Sequence, residues 1–386
     1  MRIRFSLEHL LPLSFFFGFL IAYTIHFKMD MFVLIADYFV KAFLLFAPLI
    51  IFIILFTSTC SLKAEREIPG TIAKVSLILY GSLVIISSIF ASIVLSIFSK
   101  QGPIMPISAG VYSHVLQVIF TSLSRPVSLA ILIGFVTPFI FAKTKHFQKI
   151  LNASRHVYSA QARFFEILIK IFPVFCLSLG ATLYYNLGKL AMSAYLISIG
   201  SVFVLGMAVL ASLSLTVHKF AFKDVKHLSK YSVRAFLAGL STGSSYITLP
   251  MHLKIFNQYF KLDKRVSDFI LTLGASLNRC GSVMGVLIVT FVSASFSNYQ
   301  ISWQQMLSLA IPVALIGFGS PGIAGGTLLV NLPAILDVLS PSSPEKFTST
   351  ALALFIGGTM FVQVAVNTVA NGYVALLVDY VTERTK

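Results

Sequence analysis

Residues 274–285, GASLNRCGSVMG, set one arginine, Arg279, in an otherwise apolar run, with Asn278, Cys280 and Ser282 beside it. A guanidinium stays charged at any physiological pH, and its planar fork of donors matches a carboxylate. The same residues suggest a second chemistry. Asn278–Ser282 reads as a break in a helix, where unwound carbonyls and the side-chain oxygens of Asn278 and Ser282 would suit a small cation. Capture of an anion and coordination of a cation are both open from the residues alone. Covalent and metal chemistry find no comparable pattern. Cys60, Cys176 and Cys280 are odd in number and lack CxxC spacing, and no HExxH or Ser/His/Asp arrangement occurs. The chain does not read as an enzyme, and no cofactor is implied.

What Arg279 faces depends on the elements that hold it. Hydrophobic residues make up 57% of the chain and charged ones 11%, with a mean hydropathy of +0.90. A soluble domain keeps about 25% charged residues to cover its surface. Runs such as 46–57, 75–98 and 194–217 supply the ~20 apolar residues that cross a bilayer as helix. They lack the alternation of a transmembrane barrel. An all-α, multi-pass integral membrane protein follows. The first apolar segment, 6–27, has no small-residue cleavage site before His26 and Lys28 and reads as a retained helix. Basic residues crowd alternate loops: Arg2 and Arg4, Lys63 and Arg66, Lys143 to Arg155, Lys219 to Arg234, and Lys254 to Arg265. The positive-inside rule makes these loops and the amino terminus cytoplasmic. Topology thus accounts for the net charge of +16, with anionic lipid heads as an added attraction and no nucleic-acid partner required.

Two segments resist a simple crossing. Residues 235–256 are moderately apolar, centre on STGSSYITLP, and have basic loops on both sides. A chain that enters and leaves on one face forms a re-entrant hairpin, and Gly, Ser and Pro supply its turn. Residues 311–336, with GSPGIAGGT at their centre, lie between basic-poor flanks and would re-enter from the opposite face. Irregular backbone at such depth needs protein or water around it. Paired interrupted segments point to an inverted repeat with a transport site between them.

The order STGSSYITLP, LGASLNRCGS, GSPGIAGGT and NTVANG resembles the dicarboxylate/amino acid:cation symporter family over essentially the whole chain, and FAPLIIFIIL (46–55) resembles its second span. The resemblance implies eight transmembrane helices plus two re-entrant hairpins in a glutamate-transporter-like elevator fold. Residues 1–234 would hold six spans, the scaffold and trimerisation elements with part of the transport domain. Residues 235–386 would form a transport core of hairpin 1 (235–256), the seventh span (266–292), hairpin 2 (307–337) and the eighth span (347–379). A homotrimer is implied as well. The resemblance places substrate contacts at Ser244 and Ser245 of the first tip, at Gly319, Ser320, Gly322 and Gly325 of the second, and at Gln363 and Asn367; Arg279 either pairs with an anionic substrate or permanently occupies the space of a coupling cation. Small residues at the tips let backbone amides approach an anion closely.

The departures carry as much weight. Where the family reads N-M-D-G-T, this chain reads NRCGS, so Arg279 replaces a methionine and Cys280 a cation-binding aspartate. Asn278, Cys280, Ser282, Asn367 and Asn371 therefore occupy cation-site positions in degenerate form. Gln363 stands where an arginine binds a distal carboxylate, and Met360 where an aspartate holds an amino group. The implied activity is secondary transport of a small organic anion, a dicarboxylate or related carboxylate or amino acid. Sodium or a proton is the candidate coupling ion, and the coupling itself is altered or lost. The competing expectation is a degenerate relative acting as an anion channel or as a non-transporting membrane protein.

Overall fold

The computed structural model describes residues 7–25, 70–99, 173–297 and 299–383, apart from 319, 321–324, 340 and 342, with scattered single residues between 31 and 156. Residues 46–57, 101–131 and 157–172 lie largely or wholly outside this set, as do Gly319 and Gly322. Every element among the described residues is helical. Among the described residues four runs are long and apolar enough to cross a membrane: Thr71–Phe98, Pro173–Phe220, Val266–Phe296 and Pro344–Thr382. Over an 18-residue apolar stretch of each, 83% and 94% of the last two is buried, against 39% and 33% for the first two, so they form the interior and the others the flank. On the flanking helices Ile78, Ile86, Leu196 and Val204 stay exposed. Such an apolar face suits lipid or another protein surface.

Helix α1 (Leu7–Ile25) and helical residues 173–187 cross closely, with Gly18 against Leu177 and Gly180 against Phe15. Helix α2 (Gly70–Phe98) follows α1 among the longer elements. A 3-10 turn, Gly188–Leu190, leads into α3 (Ala191–Phe220).

Helix α4 (Val225–Thr242) begins ahead of residue 235. The reason is local. Asp224 caps the helix by accepting the His227 N–H at 3.1 Å, the standard way to satisfy an orphan amide of the first turn. Helix α4 stops at Gly243, whose φ of +63° is a left-handed cap that glycine adopts without strain. One residue later α5 (Ser245–Tyr259) runs back against α4. Phe222 on Phe260 and Tyr231 on Phe256 fix their alignment.

Helices α6 (Lys264–Leu277) and α7 (Cys280–Phe296) are separated only by Asn278 and Arg279. The break expected over Asn278–Ser282 is thus shorter: Gly281 and Ser282 already belong to α7. Asn278 explains this, because its Oδ1 accepts the Cys280 N–H at 3.2 Å and restarts the helix at once. A second helix pair, α8 (Trp303–Phe318) and α9 (Gly326–Leu339), packs back on itself, and Gly325 enters α9 with φ +74°. Last come α10 (Pro344–Leu354), a π-helical turn (Phe355–Thr359) and α11 (Met360–Glu383).

Helices α7 and α11 share the centre, packing on each other and both on α2 and α3. Glycines bring the neighbours of α11 to backbone contact. A Cβ on Gly239 of α4 would lie 2.6 Å from Ala365 Cα, and one on Gly281 of α7 would lie 2.6 Å from the Gln363 carbonyl oxygen. The π turn is held from outside by Tyr195, which donates to the Gly357 carbonyl at 3.0 Å. Single π turns of this kind are often found at functional sites.

Candidate functional site

The tips of both helix pairs meet the α6–α7 break and the π turn at one point, and Arg279 occupies it. The side chain is 2% exposed, the largest fully buried one among the described residues. Its Nη1 donates to the Ala275 carbonyl at 3.0 Å, to the Asn278 carbonyl at 3.5 Å and to Ser245 Oγ at 3.4 Å. Nε and Nη2 both donate to the Ser320 carbonyl at 3.4 Å. The guanidinium therefore joins the first tip to the second. It also serves the carbonyl end of α6, where a cation complements the negative pole of the helix.

A cavity of about 20 Å³ lies against it. The first tip contributes Gly243 and Ser245, the second Gly325 and Thr327, and α7 contributes Ser282 with Arg279; Phe355, Met360, Gln363 and Val364 close the remaining wall. The volume admits about one water. Helices α5 and α9 both present their amino ends here, and those ends favour negative charge. Gln363 is fixed by donating to Thr359 Oγ1 at 2.9 Å, so the π turn sets its place.

One helix turn away, the five cation-site positions form a different arrangement. Asn278 Nδ2 donates to Asn371 Oδ1 at 2.7 Å and to the Asn367 carbonyl at 3.1 Å. Asn367 Oδ1 accepts the Gly281 N–H at 2.8 Å, with the Cys280 thiol at 3.5 Å, and its Nδ2 donates to Ser282 Oγ at 3.0 Å. The side-chain oxygens of Asn278, Asn367 and Asn371 each accept a protein donor. Each already has one lone pair engaged, and the network holds no carboxylate to offset the desolvation of a small cation. Among the described residues no group of three His, Cys, Asp or Glu side chains could hold a metal ion.

The structure thus gathers Ser245, Arg279, Ser282, Gly325 and Gln363 on one cavity and places Ser320 against the guanidinium. Asn278, Cys280, Asn367 and Asn371 stand together behind them. Ser244 differs from its neighbour: it is absent from the cavity wall, and its carbonyl accepts from Thr248 Oγ1 at 2.8 Å. Gly319 and Gly322 fall outside the described residues. Sequence reasoning missed Thr327, Phe355 and Val364. For Thr327 the signal was its place directly after the glycine-rich run; Phe355 and Val364 look like ordinary apolar residues of a long helix. A larger hollow of about 570 Å³ between α5 and α6 is an open recess lined by Lys254, Lys264 and Asp268, away from this chemistry.

Residues 7–381 match the family model described as the sodium:dicarboxylate symporter family. The chain is similar to the Serine/threonine transporter SstT of Acinetobacter baylyi, with 23% identity over 378 residues, 92% of each chain. It is also similar to Excitatory amino acid transporter 1 of Ambystoma tigrinum, with 29% identity over 110 residues, 28% of this chain and 20% of that protein. The human Excitatory amino acid transporter 5 matches at 26% over a segment of the same length.

Proposed function

We propose, from the premise that this chain belongs to the sodium:dicarboxylate symporter family, that it is a membrane-embedded secondary carrier of a small organic anion whose carboxylate is received by Arg279. The observation that carries the reading is the buried guanidinium bridging Ser245 and Ser320 at the edge of the shared cavity. A carboxylate entering there would exchange with neutral acceptors for the fork of Arg279, a charge-assisted and bidentate contact. The amino ends of α5 and α9 add to the attraction.

Cation coupling is altered in this reading. The carbonyls of Ala275, Asn278 and Ser320 are the kind of oxygens that hold a small ion at an unwound membrane helix. Here they hold a guanidinium, a cation fixed to the chain. The amide network behind it satisfies its own oxygens. The relatives' names point to amino acids, and family carriers of amino acids place an aspartate where this chain has Met360. An anion without an ammonium group fits that wall better. The remaining architecture is proposed on the family pattern: eight spans with two re-entrant hairpins, a cytoplasmic amino terminus, and a homotrimer in which residues 235–386 move as the transport core.

Reconstituted protein given labelled carboxylates and amino acids, with sodium and proton gradients varied separately, tests the proposal. Saturable uptake with counter-substrate exchange, persisting without sodium, is the expected result. Uptake that requires sodium, or a non-saturating anion current, would overturn it.

A further inference from the structure

We infer that the open recess between α5 and α6 seats the headgroup of an anionic phospholipid from the leaflet that the basic loops face. The inference goes beyond the carrier reading and takes from it only the position of the Arg279 site near the bilayer midplane. The recess has a volume of about 570 Å³ and is lined by Leu253, Lys254, Asn257, Gln258, Lys264 and Asp268. That is ample room for a headgroup, since pockets for small molecules run from about 300 to 1,000 Å³. Between Lys254 and Asp268 the sequence carries four basic residues and two acidic ones. Among the described residues neither Lys254 nor Lys264 has an ion-pair or hydrogen-bond partner, even though Asp268 stands one turn along α6 from Lys264. Asp268 accepts instead from Asn257 Nδ2 at 3.4 Å, and Gln258 Oε1 accepts from Arg234 Nη1 at 3.2 Å, which brings a third cation to the rim.

Depth selects a lipid over a soluble phosphate. Helix α5 starts at Ser245, beside Arg279, and Lys254 stands nine residues along it, up to about 14 Å from the tip at 1.5 Å per residue. Lys264 opens α6 fifteen residues before Arg279, up to about 22 Å away on the same measure. The hydrocarbon of one leaflet is about 15 Å deep and its headgroup zone ends about 20–22 Å from the midplane, so the two lysines bracket that zone. Met251, one turn nearer the tip than Lys254, is 40% exposed and offers an apolar surface at acyl-chain depth. A phosphodiester between the lysines would gain two charge-assisted contacts. A zwitterionic headgroup would bring its own cation against them, so a net negative lipid is preferred. The basic loops put this recess on the cytoplasmic leaflet, where anionic lipids attract basic residues.

Thermal unfolding of the detergent-purified full chain, titrated with dioleoylphosphatidylglycerol, dioleoylphosphatidylcholine or soluble glycerol 3-phosphate, provides the test. Phosphatidylglycerol should raise the melting temperature in a saturable way, and the other two should not. The double variant Lys254→Gln/Lys264→Gln should need roughly twenty-five times more phosphatidylglycerol for half the shift, about fivefold for each basic residue near an anionic surface. Both side chains are exposed, so the variant keeps its fold. Lys189→Gln/Lys346→Gln, which removes the same charge elsewhere, should titrate like wild type. Equal shifts with the two lipids, a preference that survives in the Lys254/Lys264 variant, or one lost equally in the Lys189/Lys346 variant would overturn the inference. Glycerol 3-phosphate acting as strongly as the lipid would also overturn it, in favour of a soluble phosphate ligand. None of these outcomes touches the carrier reading, which stands or falls on uptake.

Discussion

Replacing Arg279 by methionine should make the protein respond to sodium. The guanidinium nitrogens lie 3.0 Å from the Ala275 carbonyl and 3.4 Å from that of Ser320. A sodium ion held by those oxygens would sit within about 4 Å of the positive charge. At an effective dielectric near 20 that repulsion is about 4 kcal/mol, roughly a thousandfold in affinity. Arg279→Met removes the repulsion and frees the same carbonyls. The amide network behind them still lacks a carboxylate, so the double variant with Cys280→Asp should respond more strongly than the single one. The assay is the shift in thermal unfolding of purified protein as sodium replaces choline at constant ionic strength, followed by uptake over the same range. The wild type should give a flat titration, Arg279→Met a rising one, and the double variant saturation at lower sodium. A wild-type shift as large as either variant's would refute the reasoning. So would Arg279→Met transporting at the wild-type rate with unchanged ion dependence.

Three further substitutions probe the frame around the site. Gly281→Ala would set a methyl 2.6 Å from the Gln363 carbonyl oxygen and 3.1 Å from Val366 Cβ, where neither neighbour can swing away, and should cost about 1–3 kcal/mol in thermal or denaturant unfolding. Tyr195→Phe removes the hydrogen bond to Gly357; it should lower stability by about 1 kcal/mol and reduce uptake through the π turn that seats Thr359 and Gln363. Asp224 lies outside the spans, and hydrogen bonds from His227, the backbone N–H first, hold its carboxyl below its ordinary value of 3.8. Its charge therefore contributes stability at neutral pH, which fades as the pH falls below 3.8 through the lower folded value. Asp224→Asn keeps a capping side chain, so its melting temperature should fall below wild type at pH 7 and converge with it in acid.

The helix ends that build the site were legible because breakers have local causes. Gly243 and Gly325 adopt positive φ, and both stand in runs that the sequence marks as turns. Arg279 drew notice because charge is rare inside an apolar run. The length of the α6–α7 break was misjudged because the side chain of Asn278 recaps the helix, an effect that residue type alone does not reveal. The π turn was hidden for a related reason. FIGGT reads as ordinary membrane helix, and the side chains that meet it from outside, Tyr195 and Phe15, are both far away in sequence. The donors that Asn367 and Asn371 accept, the Gly281 N–H and the Asn278 amide, were equally out of reach. Spacing shows which amides converge, while these two contacts depend on the register between α7 and α11.

The glycine contacts on α11 also limit how this molecule can move. Gly239 presses α4 onto the backbone at Ala365, and Gly281 presses α7 onto the carbonyl of Gln363. Sliding either helix along α11 would drive main chain into main chain, so these three helices have lost that degree of freedom relative to one another. Gly206 of α3 instead meets a side chain, that of Val366, and no main chain. If one surface of α11 shears while its neighbours travel as a block, the α3 side is the one with slack, and a probe pair across Gly206 and Val366 would report the stroke.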